Sequence, residues 1–80
     1  MSKERKEYTV SETTGLKYNP KDMARIVNQK QCALYLIHGA TLYDVYATRD
    51  YTTNEPILVY LFSKAETGEM YRLWQKRELL

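Results

Sequence analysis

Cysteine occurs once in this chain, and so does histidine. One thiol cannot close an internal disulfide, which excludes the stapled scaffolds of small secreted proteins and makes a reducing cytosol the default. Cys32 and His38 stand six residues apart, which is not a zinc spacing, so no metal site is expected. His38 reads as a helix C-terminal residue meeting the dipole, and Cys32 as a buried structural thiol. Three scattered glycines cannot cradle a phosphate, and neither G-x-x-x-x-G-K-[ST] nor G-x-G-x-x-G is present. Serine is as sparse: Ser2 and Ser11 fall in the N-terminal stretch and Ser63 serves as a helix cap. A nucleophile–base–orienter set therefore has nothing to draw on. A carboxylate pair of Asp44 with Asp50 or Glu55 is split between a strand and a loop, with no reason to share a cleft. An enzyme is not expected, and no cofactor is implied. No apolar run approaches the roughly 18 residues of a membrane span. The N-terminus M-S-K-E-R-K-E-Y lacks the apolar core of a signal peptide, so a soluble, intracellular protein is expected.

Charge of one sign is also lacking. Twelve Lys and Arg stand against ten Asp and Glu, and a net +2 does not by itself argue for nucleic acid. What is abundant is tyrosine, eight of the ten aromatics. Tyrosine combines apolar area with a polar tip, a property used at binding surfaces and equally at the boundary of a small core. Eighty residues make one domain, near the lower limit for a core without staples.

The chain is organised around Asn28 to Gly39, N-Q-K-Q-C-A-L-Y-L-I-H-G. Asn28 and Gln31 form a capping-box pattern, and Gly39 supplies the left-handed residue that ends a helix. Cys32, Ala33, Leu34, Leu36 and Ile37, with Tyr35, cover most of the circumference, which predicts burial on more than one side. Upstream, residues 1–21 show no sustained period and read as a flexible arm, with residues 22–80 as the single domain. Met23 to Val27 suggests a short edge strand. Thr41 to Thr48 reads as a strand with Tyr43, Val45 and Ala47 on one face and Leu42, Asp44 and Tyr46 on the other. Ile57 to Phe62 is an unbroken apolar run, as in a strand covered on both faces, and Pro56 suits its first position. Arg49 to Glu55 between them is too long for a tight turn and is expected to protrude. Ser63 with Glu66 opens a second helix to about Glu78, with Met70, Leu73, Trp74 and Arg77 on one stripe. Gly68 conflicts with that helix, which points to a close backbone approach or a later start. The expected fold class is α+β, a small antiparallel sheet with two helices in the order (β)-α-β-β-α.

Two binding readings follow. The apolar excess of the central helix, the 57–62 strand and the protruding loop exceed what a tiny monomer buries, which marks a protein-interaction surface or a homodimer. The partner-binding residues expected are Tyr43, Tyr46, Arg49, Asp50, Tyr51 and Glu55, with the tyrosines of the arm. Alternatively, Arg49, Arg72, Lys76 and Arg77 beside tyrosines could hold a single-stranded nucleic acid. Against that, acidic residues are interleaved among the cations.

From about Ile26 onward the chain resembles a group of small α/β domains found in phages and mobile elements of Gram-positive bacteria. The residues that carry the likeness are N-Q-K-Q-C-A-L-Y-L-I-H-G (28–39), Y-D-V-Y (43–46), L-V-Y-L-F-S-K (58–64) and E-T-G-E-M-Y-R-L-W-Q-K-R-E-L (66–79). The long loop and the N-terminal arm are departures from it. The resemblance brings no catalytic residues. It implies a non-enzymatic accessory protein of the bacterial host cytoplasm that binds a protein partner, with inhibition of a host defence nuclease, anti-CRISPR-like, as the expected role. The alternative is a small nucleic-acid-binding or regulatory protein, including a homodimer.

Overall fold

The computed structural model describes residues 7–80. Its elements are β1 (Thr9–Val10), β2 (Lys17–Tyr18), a 3-10 turn (Pro20–Asp22), β3 (Met23–Ile26), α1 (Gln29–Ile37), β4 (Leu42–Arg49), β5 (Pro56–Ser63) and α2 (Lys64–Gln75). The fold is α+β, with a three-stranded antiparallel sheet ordered β3-β5-β4 and a separate antiparallel ribbon of β1 and β2.

The most apolar strand takes the middle place, where both of its faces are covered. Toward the helices Tyr60 and Phe62 join Ile26, Cys32, Tyr35, Ala40 and Leu79 in the main core. On the opposite face Val59 and Leu61 pack with Tyr18, Met23 and Tyr43 in a second, smaller core. Phe62 meets Tyr35 edge-on at 5.2 Å between ring centroids.

Asn28 caps α1 through its side-chain oxygen, which accepts from the Gln31 N–H at 3.0 Å. The second half of the expected capping box is not made; the Gln31 side chain is turned to Tyr35, with Nε2 donating to the hydroxyl at 3.0 Å. At the other end Gly39 has φ +91°, its N–H donates to Leu36 O, and the Ala40 N–H donates to Tyr35 O. These are the paired bonds of a Schellman stop, which require the left-handed residue. Burial of α1 is one-sided, which corrects the expectation: Gln31, Cys32 and Tyr35 face inward, whereas Leu36 and Ile37 remain 44% and 74% exposed.

The strict alternation expected of β4 is also corrected. A bulge lies between Leu42, opposite Phe62, and Asp44, opposite Leu61. The extra residue, Tyr43, turns to the small core beside Asp44, and after the bulge alternation resumes with Val45 and Ala47 on the face of Leu42 and Tyr46 on the face of Asp44.

Residues 7–21 belong to the expected arm, yet they carry the ribbon and the 3-10 turn; residues 1–6 lie outside the described residues. Strands of two residues are too short to show a period in sequence. Their position comes from tertiary bonds to β4: Ser11 Oγ and the Tyr18 hydroxyl donate to the Asp44 carboxylate at 2.6 and 2.5 Å. Thr13 and Thr14 donate their hydroxyls to the carbonyls of Val45 and Tyr43.

α2 begins at the Ser63 cap and runs through Gly68 without a later start. It ends at Gln75, short of the expected Glu78, because Arg77 adopts φ +61°. The Arg77 and Glu78 N–H groups then donate to Trp74 O and Leu73 O, a second Schellman stop with arginine where glycine is usual. Arg77 is therefore off the helical stripe. Glu66 again uses its side chain elsewhere, accepting from the Thr41 N–H at 2.8 Å and so tying the start of β4 to α2.

Candidate protein-interaction surface

β4 and β5 pair as far as Arg49 opposite Pro56, so the loop between them is the closed end of a hairpin. Asp50 makes it. Its N–H donates to Glu55 O at 2.8 Å, its carbonyl accepts from Asn54 N–H, and its Oδ1 accepts from the N–H groups of Thr52 and Thr53 at 2.7 and 2.9 Å. Asn54 takes the left-handed position, φ +62°, and its carbonyl accepts from Arg49 Nη1. Amide bonds from Thr53 and Thr52 hold the Asp50 carboxyl below its usual range.

The ribbon's loop repeats this construction. Ser11 N–H donates to Leu16 O, Gly15 N–H donates to Ser11 O, and Ser11 Oγ accepts from Thr13 and Thr14 N–H. Gly15, φ +78°, stands where Asn54 stands. S-E-T-T-G-L and D-Y-T-T-N-E are thus two copies of one turn, an acceptor side chain bonding two threonine amides and closed by a left-handed Gly or Asn. The shared T-T followed by Gly or Asn was the available sequence signal.

The six residues expected at a partner surface divide by environment. Tyr51 stands at the loop's apex, fully exposed, and Tyr46 below it on β4 is 39% exposed. The Tyr46 hydroxyl accepts from Arg25 Nε at 3.4 Å. Glu55 is exposed. Arg49 and Asp50 shape the loop itself. Tyr43 is half-buried and packs edge-on against Tyr18 at 6.5 Å, so its ring is committed within the chain.

Beneath the hairpin, Asp44 joins ribbon to sheet. Burial works to raise its carboxyl, but the Ser11 and Tyr18 hydroxyls and the Val45 amide outweigh it and hold it below the usual carboxylate range. The Asp44 bond, then burial, push the Tyr18 phenol up to about 12.

Compared with known proteins, the chain matches no family model, no curated protein and no solved structure.

The four cations of the alternative reading are also dispersed in role. Arg49 is tied to its loop, and Arg72 is paired with Glu69 one helical turn back. Lys76 caps α2 and Arg77 follows it. Lys30, absent from the expected set, comes beside Arg77 and Trp74 around a hollow of about 570 Å³. No helix among the described residues is long and apolar enough to cross a membrane.

Proposed function

We propose that this chain is a non-catalytic protein-binding accessory protein of phage or mobile-element type, acting in the bacterial cytoplasm, with the tip of the β4–β5 hairpin as its contact surface. The role we assign is inhibition of a host defence nuclease, in the anti-CRISPR manner. The observation that carries the binding reading is Tyr51, wholly exposed at the apex of a loop whose backbone is held by its own hydrogen bonds. An aromatic ring held in solvent on a pre-ordered loop does nothing for the fold, and is the kind of anchor that dominates protein interfaces. The phage setting and the defence target rest on the sequence resemblance.

The second reading is nucleic-acid binding, favoured by the hollow that places Lys30 and Arg77 beside the Trp74 indole. Phosphate-driven binding weakens steeply with salt, whereas a tyrosine anchor is far less sensitive. A tagged pull-down from bacterial lysate, with and without nuclease, separates the two. A stoichiometric protein that survives nuclease, and that Tyr51→Ala retains about thirty-fold more weakly, is the expected result. Recovery that vanishes on nuclease treatment would move the assignment to nucleic acid.

A further inference from the structure

The two edges of the three-stranded sheet differ. On β4 the ribbon's loop covers the first half of the edge, since the carbonyls of Tyr43 and Val45 accept the Thr14 and Thr13 hydroxyls. β3 forms the opposite edge and pairs with β5 alone among the described strands. An open edge is a row of unpaired N–H and C=O groups, a template for one further strand.

Beside this edge lies a groove of about 430 Å³ between β3 and α2, with Ala24, Ile26 and Tyr35 contributing its apolar lining. Gly68 and Tyr71 line it from α2. Gly68 is exposed in a helix interior, and a Cβ placed there would meet no atom within 4 Å. Packing within the chain therefore gives no reason for the residue least suited to a helix after proline. What its missing side chain leaves open is the groove.

The chemistry of the lining selects the occupant. Lys64 stands at its rim with no carboxylate in the lining, and Arg25, opposite Leu61, carries its side chain to the other face of the same edge, so β3 has a cation on each side. Lys64 Nζ is anchored on the Lys21 carbonyl just before β3, and Arg25 Nε reaches the Tyr46 hydroxyl. Glu69, the nearby acid of α2, is paired with Arg72. Pairing β3 with β3 of a second copy would bring the Arg25 side chains of both chains together on one four-residue seam, which like-charge repulsion opposes. We propose that the β3 edge and its groove take an extended acidic segment of a partner protein as a fourth strand, with an aliphatic side chain seated beside Gly68. The proposal rests on the protein-binding reading for the class of partner, and uses a surface other than the hairpin tip.

The test is selection of a random-peptide display library on the full chain, followed by anisotropy titration and amide-shift mapping with the enriched peptides. Enriched sequences should carry Asp or Glu next to Leu, Ile or Val. Gly68→Leu should weaken them by at least about tenfold. Its circular dichroism should stay unchanged, since leucine is the better helix former. The Lys64→Glu/Arg25→Glu double variant should reverse the charge preference, and shifts should centre on Met23–Ile26 and α2. Peptides without acidic bias, equal affinity for Gly68→Leu, or shifts centred elsewhere would overturn the proposal. So would a dimer mass in light scattering that Gly68→Leu returns to the monomer, which would make a second copy the occupant. Peptide binding unaffected by Tyr51→Ala supports this site whatever becomes of the hairpin tip. Loss of peptide binding with retention of a Tyr51-dependent lysate partner would reject this site and leave the hairpin-tip reading standing.

Discussion

Gln31 and Tyr35 are both buried, and the bond between them is the satisfaction of each. Tyr35→Phe removes the acceptor and leaves a buried amide unpaired, which costs about 1–3 kcal/mol. For a chain of this length each kcal/mol corresponds to roughly 4–8 °C in Tm. A thermal melt should show that loss, and Gln31→Leu added to Tyr35→Phe should recover part of it in a double-mutant cycle. Burial also pushes the Cys32 thiol up, so it should react with a thiol reagent only after unfolding. The caps Asn28 and Ser63 were legible in sequence because a cap acts within its own turn. What Gln31 and Glu66 bond to was not, because each side chain bonds a partner outside the capping box.

At the scale of elements, the chain ends both helices and both hairpin loops with a left-handed residue, and only two of these four are glycine. Arg77 bears the cost that Gly39 avoids at the equivalent stop of α1. Arg77→Gly should therefore stabilise the fold by about 1 kcal/mol, read as a rise in Tm. Asn54→Gly should gain less, since asparagine tolerates this region, and Gly15→Ala should lose stability at the sister position. The sequence marked 49–55 as a protruding loop. That this loop and the ribbon's loop are one turn built twice became visible only when the strands on either side were paired. The bulge at Tyr43 was hidden for a related reason: alternation read along one strand assumes an unbroken partner, and a bulge is a property of the pair.

At the scale of the whole molecule, Asp44 holds the ribbon to the sheet, and pH should test that attachment. Its folded-state value is depressed, so its stabilisation is present above the ordinary carboxylate range near 3.9 and is lost as pH falls through the lower folded value. Tyr18 is raised to about 12, so its stabilisation is complete below its ordinary value near 10 and is lost as pH rises toward 12. Tm measured from acid to alkaline pH should fall on both limbs. Asp44→Asn should flatten the acid limb, and should also shift one late tyrosine toward ordinary ionisation in ultraviolet absorbance, with burial holding part of the rise. An unchanged profile would mean that the ribbon's attachment does not depend on Asp44.

By itself the sequence determined the α+β class, the two helices and their starts, the three strands of the main sheet and the covering of 57–62 on both faces. All of these follow from periodicity, caps and apolar runs, which are properties of neighbouring residues. Tertiary structure alone decided that residues 9–18 form a ribbon on the far face, and that Tyr43 turns inward while Tyr51 stays free. It alone covered the first half of one sheet edge with threonine hydroxyls and left the other edge open beside Gly68. The reason is separation along the chain: Asp44 meets Ser11 at a distance of 33 residues, and no local pattern encodes which polar groups find each other across such a gap.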